Sequence, residues 1–445
     1  MTDAFPNRQE IERRQLAQLR DLVAALLESN GFYQERLRRA GLDAAPGSIA
    51  EFIAKCPFTA KWECVADQQA HPPFGTNLTF PLDRYTRFHQ TSGSTGRPMR
   101  WLDTSESWAW MLDNWAEVYR AAGVSAADRI YFAFSFGPFL GFWTAFESAL
   151  RIGCLCLPGG GLSSVARLGQ LIDQQATVLC CTPTYALHLA EVAGREGIDL
   201  SRSAVHTIIV AGEPGGSLPA VRRRMSEAWN GARVFDHHGM TEVGPVTYEC
   251  PERPGVLHVV ETSYLSEIVD PETGTAVPSG TEGELILTTL GRTGSPLLRY
   301  RTGDVVRAAT IEPCACGRFE LALEGGILGR VDDMVVVRGV NVYPAAVEQI
   351  IRNHGGVAEY RVDVSDDRTM TELEITVEPD ATQTDKAAFA QSLARAFENS
   401  LALRVPVRLA EADSLPRFEL KARRWQRTRE SGLRPSRLGG SGEPH

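Results

Sequence analysis

The stretch RIYFAFSFGPFLGFWTAFESALRIGCLCLPGG, residues 129–160, decides how the chain folds. Residues 129–134 are apolar and rich in aromatic side chains, as a buried strand requires, and Gly137-Pro138 interrupts them. Residues 141–152 then carry apolar side chains at helical spacing, and residues 154–157 are apolar again. Strand, helix and strand of these lengths make a crossover unit, which is right-handed and pairs its strands in parallel. The alternation extends outward. Residues 108–122 read as a helix before it. After it, helices at 164–174, 186–196 and 218–229 alternate with strands at 178–181, 207–211 and 233–237. The predicted fold is therefore α/β, a parallel sheet with helices on both faces. Its ligands belong beyond the carboxyl ends of the strands, in the loops after Phe134, Leu157, Cys181, Ala211 and His237.

Further outward, residues 8–41 read as a helical lead-in with a helix-ending signal at Asn30-Gly31. Residues 255–307 lose the helical pattern and become β-rich, with strands at 257–260, 266–269, 284–289 and 305–308. Beyond Gly329-Arg330 a new order begins: strand 334–337, helix 344–353, strands 360–365 and 372–377, helix 386–400 and strand 405–410. The expected organisation is a large domain over 1–329, including a β-rich subdomain at about 250–328, a small α+β domain over 330–427, and a disordered tail over 428–445 rich in Gly, Ser, Pro and Arg.

Bulk properties exclude several classes of function. A chain of 445 residues exceeds what one hydrophobic core usually supports. With 46 basic and 55 acidic side chains, its net charge of −9 offers no positive field to nucleic acid or an anionic membrane. No apolar run approaches the roughly 18 residues of a membrane span, and the first residues, MTDAFPNRQEIERRQ, are charged. A cytoplasmic location is expected. The nine cysteines then read as thiols or metal ligands, since the cytosol is reducing. Cys154, Cys156, Cys180 and Cys181 lie in apolar runs and read as buried small hydrophobes.

One loop stands apart. TSGSTGRP, residues 91–98, gathers hydroxyls and backbone amides that could converge on a polyphosphate, yet it lacks both the Walker spacing and G-x-G-x-x-G. Read alone, such a loop is more often a solvent-exposed connector than a phosphate site. Its companions are AGEP (211–214), HHGMTE (237–242), LLRYRTGD (297–304) and GRVDDMVVVRGVNVYP (329–344). In this order the motifs resemble those of the phenylacetate-coenzyme A ligase family of adenylate-forming enzymes, and the resemblance runs from about residue 8 to 425.

The resemblance implies ATP-dependent activation of an aromatic (aryl or arylacetic) carboxylic acid to an acyl-adenylate, followed by transfer to coenzyme A. The chemistry needs such groups because two anions, a carboxylate and a triphosphate, must meet. By resemblance, Thr91, Ser92, Gly93, Ser94, Thr95, Gly96 and Arg97 hold the β- and γ-phosphates, with Arg97 where the family often has Lys. Thr241 meets the α-phosphate and Glu242 holds Mg²⁺. Asp304 accepts the ribose hydroxyls and Arg330 reaches ribose or phosphates. Gly212, Glu213, Pro214, His237, His238, Gly239 and Met240 complete the nucleotide side, His238 standing where a Tyr often stacks near adenine. Asp332 is the hinge, and Lys421, preceded by Leu420 where the family usually has Gly, is the catalytic lysine. Phe134, Phe136 and Phe139, with Ala211 and Gly212, are expected to wall a flat, aromatic acid. The segment 131–136 lacks the Tyr-Gly-Tyr-Gly-Leu run of phenylacetate-activating members, so the particular acid stays open.

Cys250, His258, Cys314 and Cys316 could fill a closed tetrahedral site, and the resemblance includes both segments; a structural Zn²⁺ is expected. The family resemblance also implies a homodimer. Two other readings remain at this point: an acid-adenylating enzyme whose acceptor is a carrier-protein thiol or an amine, and a degenerate non-catalytic nucleotide-binding homologue.

Overall fold

A computed structural model of the chain describes residues 5–91, 98–310, 313–331, 333–337, 340–366, 371–401, 403–418 and 424–429. It divides into two compact units, the first running through residue 332 and the second built mainly of 333–417 with a final strand.

In the first unit, four helices precede the sheet: α1 (Arg8–Ser29), α2 (Gln34–Arg39), α3 (Ile49–Lys55) and α4 (Lys61–Ala70). The lead-in ends its first helix where the sequence signals it, because the Asn30 side chain accepts the backbone N–H groups of Phe32 and Tyr33. Next come an antiparallel hairpin of β1 (Tyr85–Gln90) and β2 (Arg100–Thr104) and helix α5 (Ser105–Ala121). The crossover units follow as β3 (Arg129–Phe132), α6 (Leu140–Ile152), β4 (Leu155–Pro158), α7 (Ser164–Asp173), β5 (Val178–Cys181), α8 (Pro183–Glu196), β6 (Thr207–Val210), α9 (Pro219–Ala228) and β7 (Arg233–Asp236).

These five strands form one parallel sheet in the order β4-β3-β5-β6-β7. Both faces are covered, so β5 (VLCC) and β6 (TIIV) are buried along their whole length and read as unbroken apolar runs. Local signals end the helices where expected. Gly153 and Gly197 close α6 and α8 with positive φ of 97° and 68°, and the Thr182 hydroxyl caps α8 just before Pro183. The order reverses between β3 and β5. The crevice beyond their carboxyl ends is therefore the topological switch point, where such sheets place a ligand.

The β-rich remainder holds a four-stranded antiparallel sheet that includes strands Glu282–Thr289, Tyr300–Arg307 and Gly329–Arg330. The strand over LLRYRTGD begins at Tyr300, five residues before the expected 305, because its alternation of charged and apolar residues hid it among the motif's arginines. Arg330 pairs across this sheet with Asp304, so it is held in the first unit although the sequence pattern places it at the start of the second.

The second unit is a four-stranded sheet in the order Val407–Leu409, Thr371–Pro379, Val357–Asp366, Trp425–Arg429. Helices Pro344–His354 and Lys386–Leu401 accompany it, around a core that includes Val362, Ile375, Leu393 and Phe397. One expectation is corrected here. Thr428 and Arg429, assigned to a disordered tail, pair in parallel with Ser365 and Asp366, because strand pairing uses the backbone and needs no apolar periodicity. The rest of that tail, 430–445, lies outside the described residues.

Among the described residues no helix is long and apolar enough to cross a membrane.

Candidate active site

After β7 the chain enters HHGMTEVGP, where Gly239–Met240 and Gly244–Pro245 form a small antiparallel hairpin with Thr241, Glu242 and Val243 at its turn. Glycine is required at both ends. A Cβ on Gly239 would lie 2.9 Å from the Gly244 carbonyl oxygen, and Gly244 has φ of +88°. The turn is gripped from one side by Arg292, which is fully buried. Its Nη1 donates to the carbonyl oxygens of Thr241 (2.8 Å) and Glu242 (2.7 Å), while Nε and Nη2 bind the Asp103 carboxylate (2.7 and 2.8 Å). Burial raises the Asp103 carboxyl, and the Arg292 guanidinium together with the neighbouring His89 ring more than offsets that, leaving it below its usual range.

The Glu242 side chain is buried, and the Lys61 ammonium lies 3.3 Å from its Oε1. Sequence reading did not single out Lys61. It opens α4, and a cation at a helix N-terminus opposes the dipole, which is the signal that could have found it. A buried carboxylate already holding a cation is a suitable hard oxygen donor for Mg²⁺.

His237 and His238 diverge. The ring of His237 is buried against Trp115, with centroids 4.3 Å apart, and its Nδ1 bonds the Thr247 carbonyl at 3.2 Å. Burial lowers its pKa to about 4, so it is a neutral part of the core, and its ring is not presented to a nucleotide. His238 points elsewhere: its Nε2 lies 2.9 Å from Asp304 Oδ2. Asp304 is buried, and its Oδ1 accepts from Arg330 Nη1 at 2.9 Å. Its Oδ2 has no hydrogen bond of good geometry even so close to His238. A buried acceptor left in this condition suits an incoming hydroxyl, as a ribose diol would supply.

The β1–β2 hairpin carries the hydroxyl-rich loop. Thr91 closes its base: its backbone N–H donates to the Met99 carbonyl at 3.0 Å, and its side-chain hydroxyl accepts the Met99 N–H at 3.0 Å. Gln90 N donates to the Pro138 carbonyl at 2.8 Å, tying this hairpin to the loop after β3. That loop is aromatic. Phe134 stacks on Phe142 with centroids 4.2 Å apart, and Phe136 meets Phe134, Trp143 and Phe146 at 5.5, 4.9 and 5.3 Å. Phe139 is the most open of the group and approaches Phe142 at 6.0 Å. The cluster sits beyond the carboxyl end of β3, at the switch point.

Arg167, which sequence reading missed, braces this end of the sheet. Its guanidinium is buried and donates to the Gly159 carbonyl, the Ala133 carbonyl and the Tyr185 hydroxyl at 2.8, 3.4 and 2.6 Å. Beyond β6, Ala211, Gly212, Glu213 and Pro214 form the next loop. Gly212 has φ of +92°, and Glu213 accepts the Thr184 N–H at 2.7 Å, joining the loops after β5 and β6. Ser92 to Arg97, the expected hinge Asp332 and the expected catalytic Lys421 lie outside the described residues.

With this geometry in view, comparison with known proteins is decisive. Residues 86–291 match the AMP-binding enzyme family, and residues 339–429 match the AMP-binding enzyme C-terminal domain. A phenylacetate-coenzyme A ligase of Thermus thermophilus is 33% identical over 83% of this chain and 82% of its own length. One from Aromatoleum evansii is 32% identical over 93% and 94%. The chain belongs to the phenylacetate-coenzyme A ligase family. Among solved structures, a 2-hydroxyisobutyryl-CoA ligase in the postadenylation state, in complex with R3-HIB-AMP, superposes with a TM-score of 0.90 at 27% identity, covering 96% of this chain and 91% of that one. Family membership assigns the class of chemistry, ATP-dependent activation of a carboxylic acid and its transfer to coenzyme A.

This member of the ligase family also gathers the four predicted metal ligands. The ligand atoms of Cys250, His258, Cys314 and Cys316 all lie within 4.8 Å of one another. Sγ of Cys250 is 3.7 Å from Sγ of Cys314, and Sγ of Cys316 is 3.4 Å from Nε2 of His258. A tetrahedron with Zn–S of about 2.3 Å and Zn–N of about 2.0–2.1 Å has S···S edges of about 3.8 Å and S···N edges of about 3.5 Å, so these two pairs stand at tetrahedral edge lengths. His258 Nδ1 faces the Glu320 carbonyl at 3.3 Å, leaving Nε2 to ligate. Burial, joined by the nearby cations of Arg318 and Arg253, lowers the His258 pKa to about 4 and keeps the imidazole neutral, as a ligand must be.

Proposed function

We propose that this ligase activates an aromatic carboxylic acid with ATP and passes the acyl group to coenzyme A. The observation that carries the choice of acid is the Phe134–Phe136–Phe139–Phe142 cluster at the switch point of the sheet. These rings pack on one another, and an aromatic wall of this kind favours a flat aryl group over a branched aliphatic one.

In the first step a carboxylate oxygen attacks the α-phosphorus, the bond to the bridging oxygen breaks, and pyrophosphate leaves. In the second, the coenzyme A thiolate attacks the acyl carbon and AMP leaves, the thiol proton having gone to solvent. The loop from Thr91 to Arg97 holds the outer phosphates, Thr241 contacts the α-phosphate, and Asp304 with Arg330 holds the ribose. Mg²⁺, when bound, offsets the negative charge gathering on the phosphates, and Glu242 would hold it. Lys421 supplies a cation for the first step. Asp332 is the hinge about which the small domain turns between the two steps. The four buried or half-buried ligands Cys250, His258, Cys314 and Cys316 support a structural Zn²⁺, which leaves no open position for chemistry.

The net charge of −9 supports small-molecule partners over nucleic acid or an anionic membrane. A cytoplasmic location and a homodimer are further proposals, the second resting on family likeness.

The test is pyrophosphate release from ATP across benzoate, phenylacetate, anthranilate and 2-hydroxyisobutyrate, each with and without coenzyme A. The expected result is multiple turnover with an aryl acid at a kcat/KM at least tenfold above that for 2-hydroxyisobutyrate. Preference for the aliphatic hydroxy acid would overturn the assignment of substrate class.

A further inference from the structure

The fully buried Arg292–Asp103 pair lies outside every motif that the chemistry has so far used. Asp103 is on β2, the strand that leaves the hydroxyl-rich loop after Pro98, whereas Arg292 lies between two strands of the β-rich part of the first unit. Isolated from water, such a pair costs more to desolvate than its mutual attraction returns unless its remaining hydrogen-bonding capacity is also used. Here it is used. The two N–H vectors aimed at Asp103 form the planar fork that suits a carboxylate, and the remaining nitrogen reaches the carbonyl oxygens of two successive residues, Thr241 and Glu242. The Arg292 guanidinium also lies over the Trp101 ring, 5.2 Å from its centroid, which fixes its plane.

From this geometry we infer that Arg292 is a positioning residue for adenylation: through Asp103 and the carbonyls of Thr241 and Glu242 it holds the metal-binding turn in register with the strand that follows the phosphate loop. The inference rests on the roles proposed above for Thr241 and Glu242. Two consecutive carbonyls held at one guanidinium fix the peptide planes on both sides of Glu242. The directions in which the Thr241 hydroxyl and the Glu242 carboxylate leave the backbone follow from that. Asp103 does a second thing: its negative charge cancels that of Arg292, so no net positive charge stands behind a turn meant to receive Mg²⁺. Lysine retains the charge but lacks the fork, and cannot hold a carboxylate and two carbonyls together.

The half-reactions separate this role from a merely structural one, because only adenylation brings Mg²⁺ and the triphosphate to the turn. The full-length variants R292K and D103N are compared with wild type and with E242Q, after thermal melting has confirmed that each is folded. Three quantities are read: acid-dependent pyrophosphate release, MgATP affinity by calorimetry with no acid present, and coenzyme A thioester formation from the synthetic acyl-adenylate. The expected result for R292K is a fall of at least tenfold in pyrophosphate release and at least fivefold in MgATP affinity, with thioester formation changed less than threefold. D103N, which leaves the guanidinium in place, shows the same split and also needs a higher Mg²⁺ concentration for half-maximal rate. If the folded variants lose both half-reactions equally, or neither, the inference is overturned. E242Q tells the two levels apart. Should E242Q leave adenylation and MgATP binding intact, the reading of the turn fails; should E242Q abolish them while R292K and D103N behave as wild type, only the positioning role fails.

Discussion

At the scale of single residues, Asp304 and His237 show how burial sorts chemistry from scaffold. Asp304 offers a buried oxygen without a well-formed hydrogen bond, next to Arg330 and His238. Replacing it by Asn keeps the size but loses charge and acceptor capacity. D304N is expected to raise the KM for ATP about tenfold or more while moving the KM for the acid less than twofold, consistent with about 1.5–3 kcal/mol for hydrogen bonds to a charged group; steady-state kinetics in both substrates checks this. His237 gives a pH prediction. Its folded pKa of about 4 lies below the ordinary 6.5, so the unfolded chain binds a proton that the folded one refuses. The stability from this neutral ring is complete above pH 6.5 and is lost as the pH falls towards 4. Thermal melts of wild type and H237N should therefore differ most at pH 7.5 and converge by pH 4.5; a difference that does not change with pH would assign the ring no such role. Residue identity alone could not tell these neighbours apart. HHGMTE announces two histidines, and only the fold shows that one faces Trp115 and the other Asp304.

At the scale of elements, the crossover units were legible because both faces of their sheet are buried and their helices carry explicit caps. Residues 178–181 were read to the residue, and β6 and β7 each to within one. The β1–β2 hairpin and helices α3 and α4 were not read. Tyr85–Gln90 mixes polar and aromatic side chains on a partly exposed strand, and Ile49–Lys55 is too short for a helical period to stand out. Arg292 was invisible for a different reason: its four hydrogen bonds go to Asp103, 189 positions away, and to two backbone carbonyls about 50 positions away, which no local pattern records. The aromatic loop after β3 carries its own prediction. F142A removes the ring stacked on Phe134, and at a half-buried site the expected outcome is a folded protein whose KM for the aryl acid rises about tenfold, about 1.4 kcal/mol. An unchanged KM would make the cluster core packing alone. For the Cys250–His258–Cys314–Cys316 group, elemental analysis should find one Zn per chain. C316S should lower both the metal content and the melting temperature, and Co²⁺ in its place should show the absorption bands of a tetrahedral thiolate site. Metal-free protein with unaltered stability would refute the site.

At the scale of the whole molecule, the motifs AGEP, HHGMTE and LLRYRTGD, spread over nearly a hundred positions of sequence, lie in the first unit, on the parallel sheet and the β-rich part that follows it. Motif order made the family legible from sequence; the identity of the acid was not, since it depends on the shape left among Phe134, Phe136, Phe139 and Phe142. Light scattering should return about twice the 48.8 kDa chain mass if the homodimer forms, and the chain mass itself if it does not. The central claim is that an aryl acid is activated as its adenylate and delivered to coenzyme A. It is tested most directly by mass-spectrometric quantification of every product formed from ATP, coenzyme A and the preferred aryl acid of the panel. The predicted result is AMP, pyrophosphate and aryl-coenzyme A in equal amounts, with acyl-adenylate retained on the protein when coenzyme A is left out. Formation of ADP and phosphate, or consumption of ATP without an aryl thioester, would contradict it.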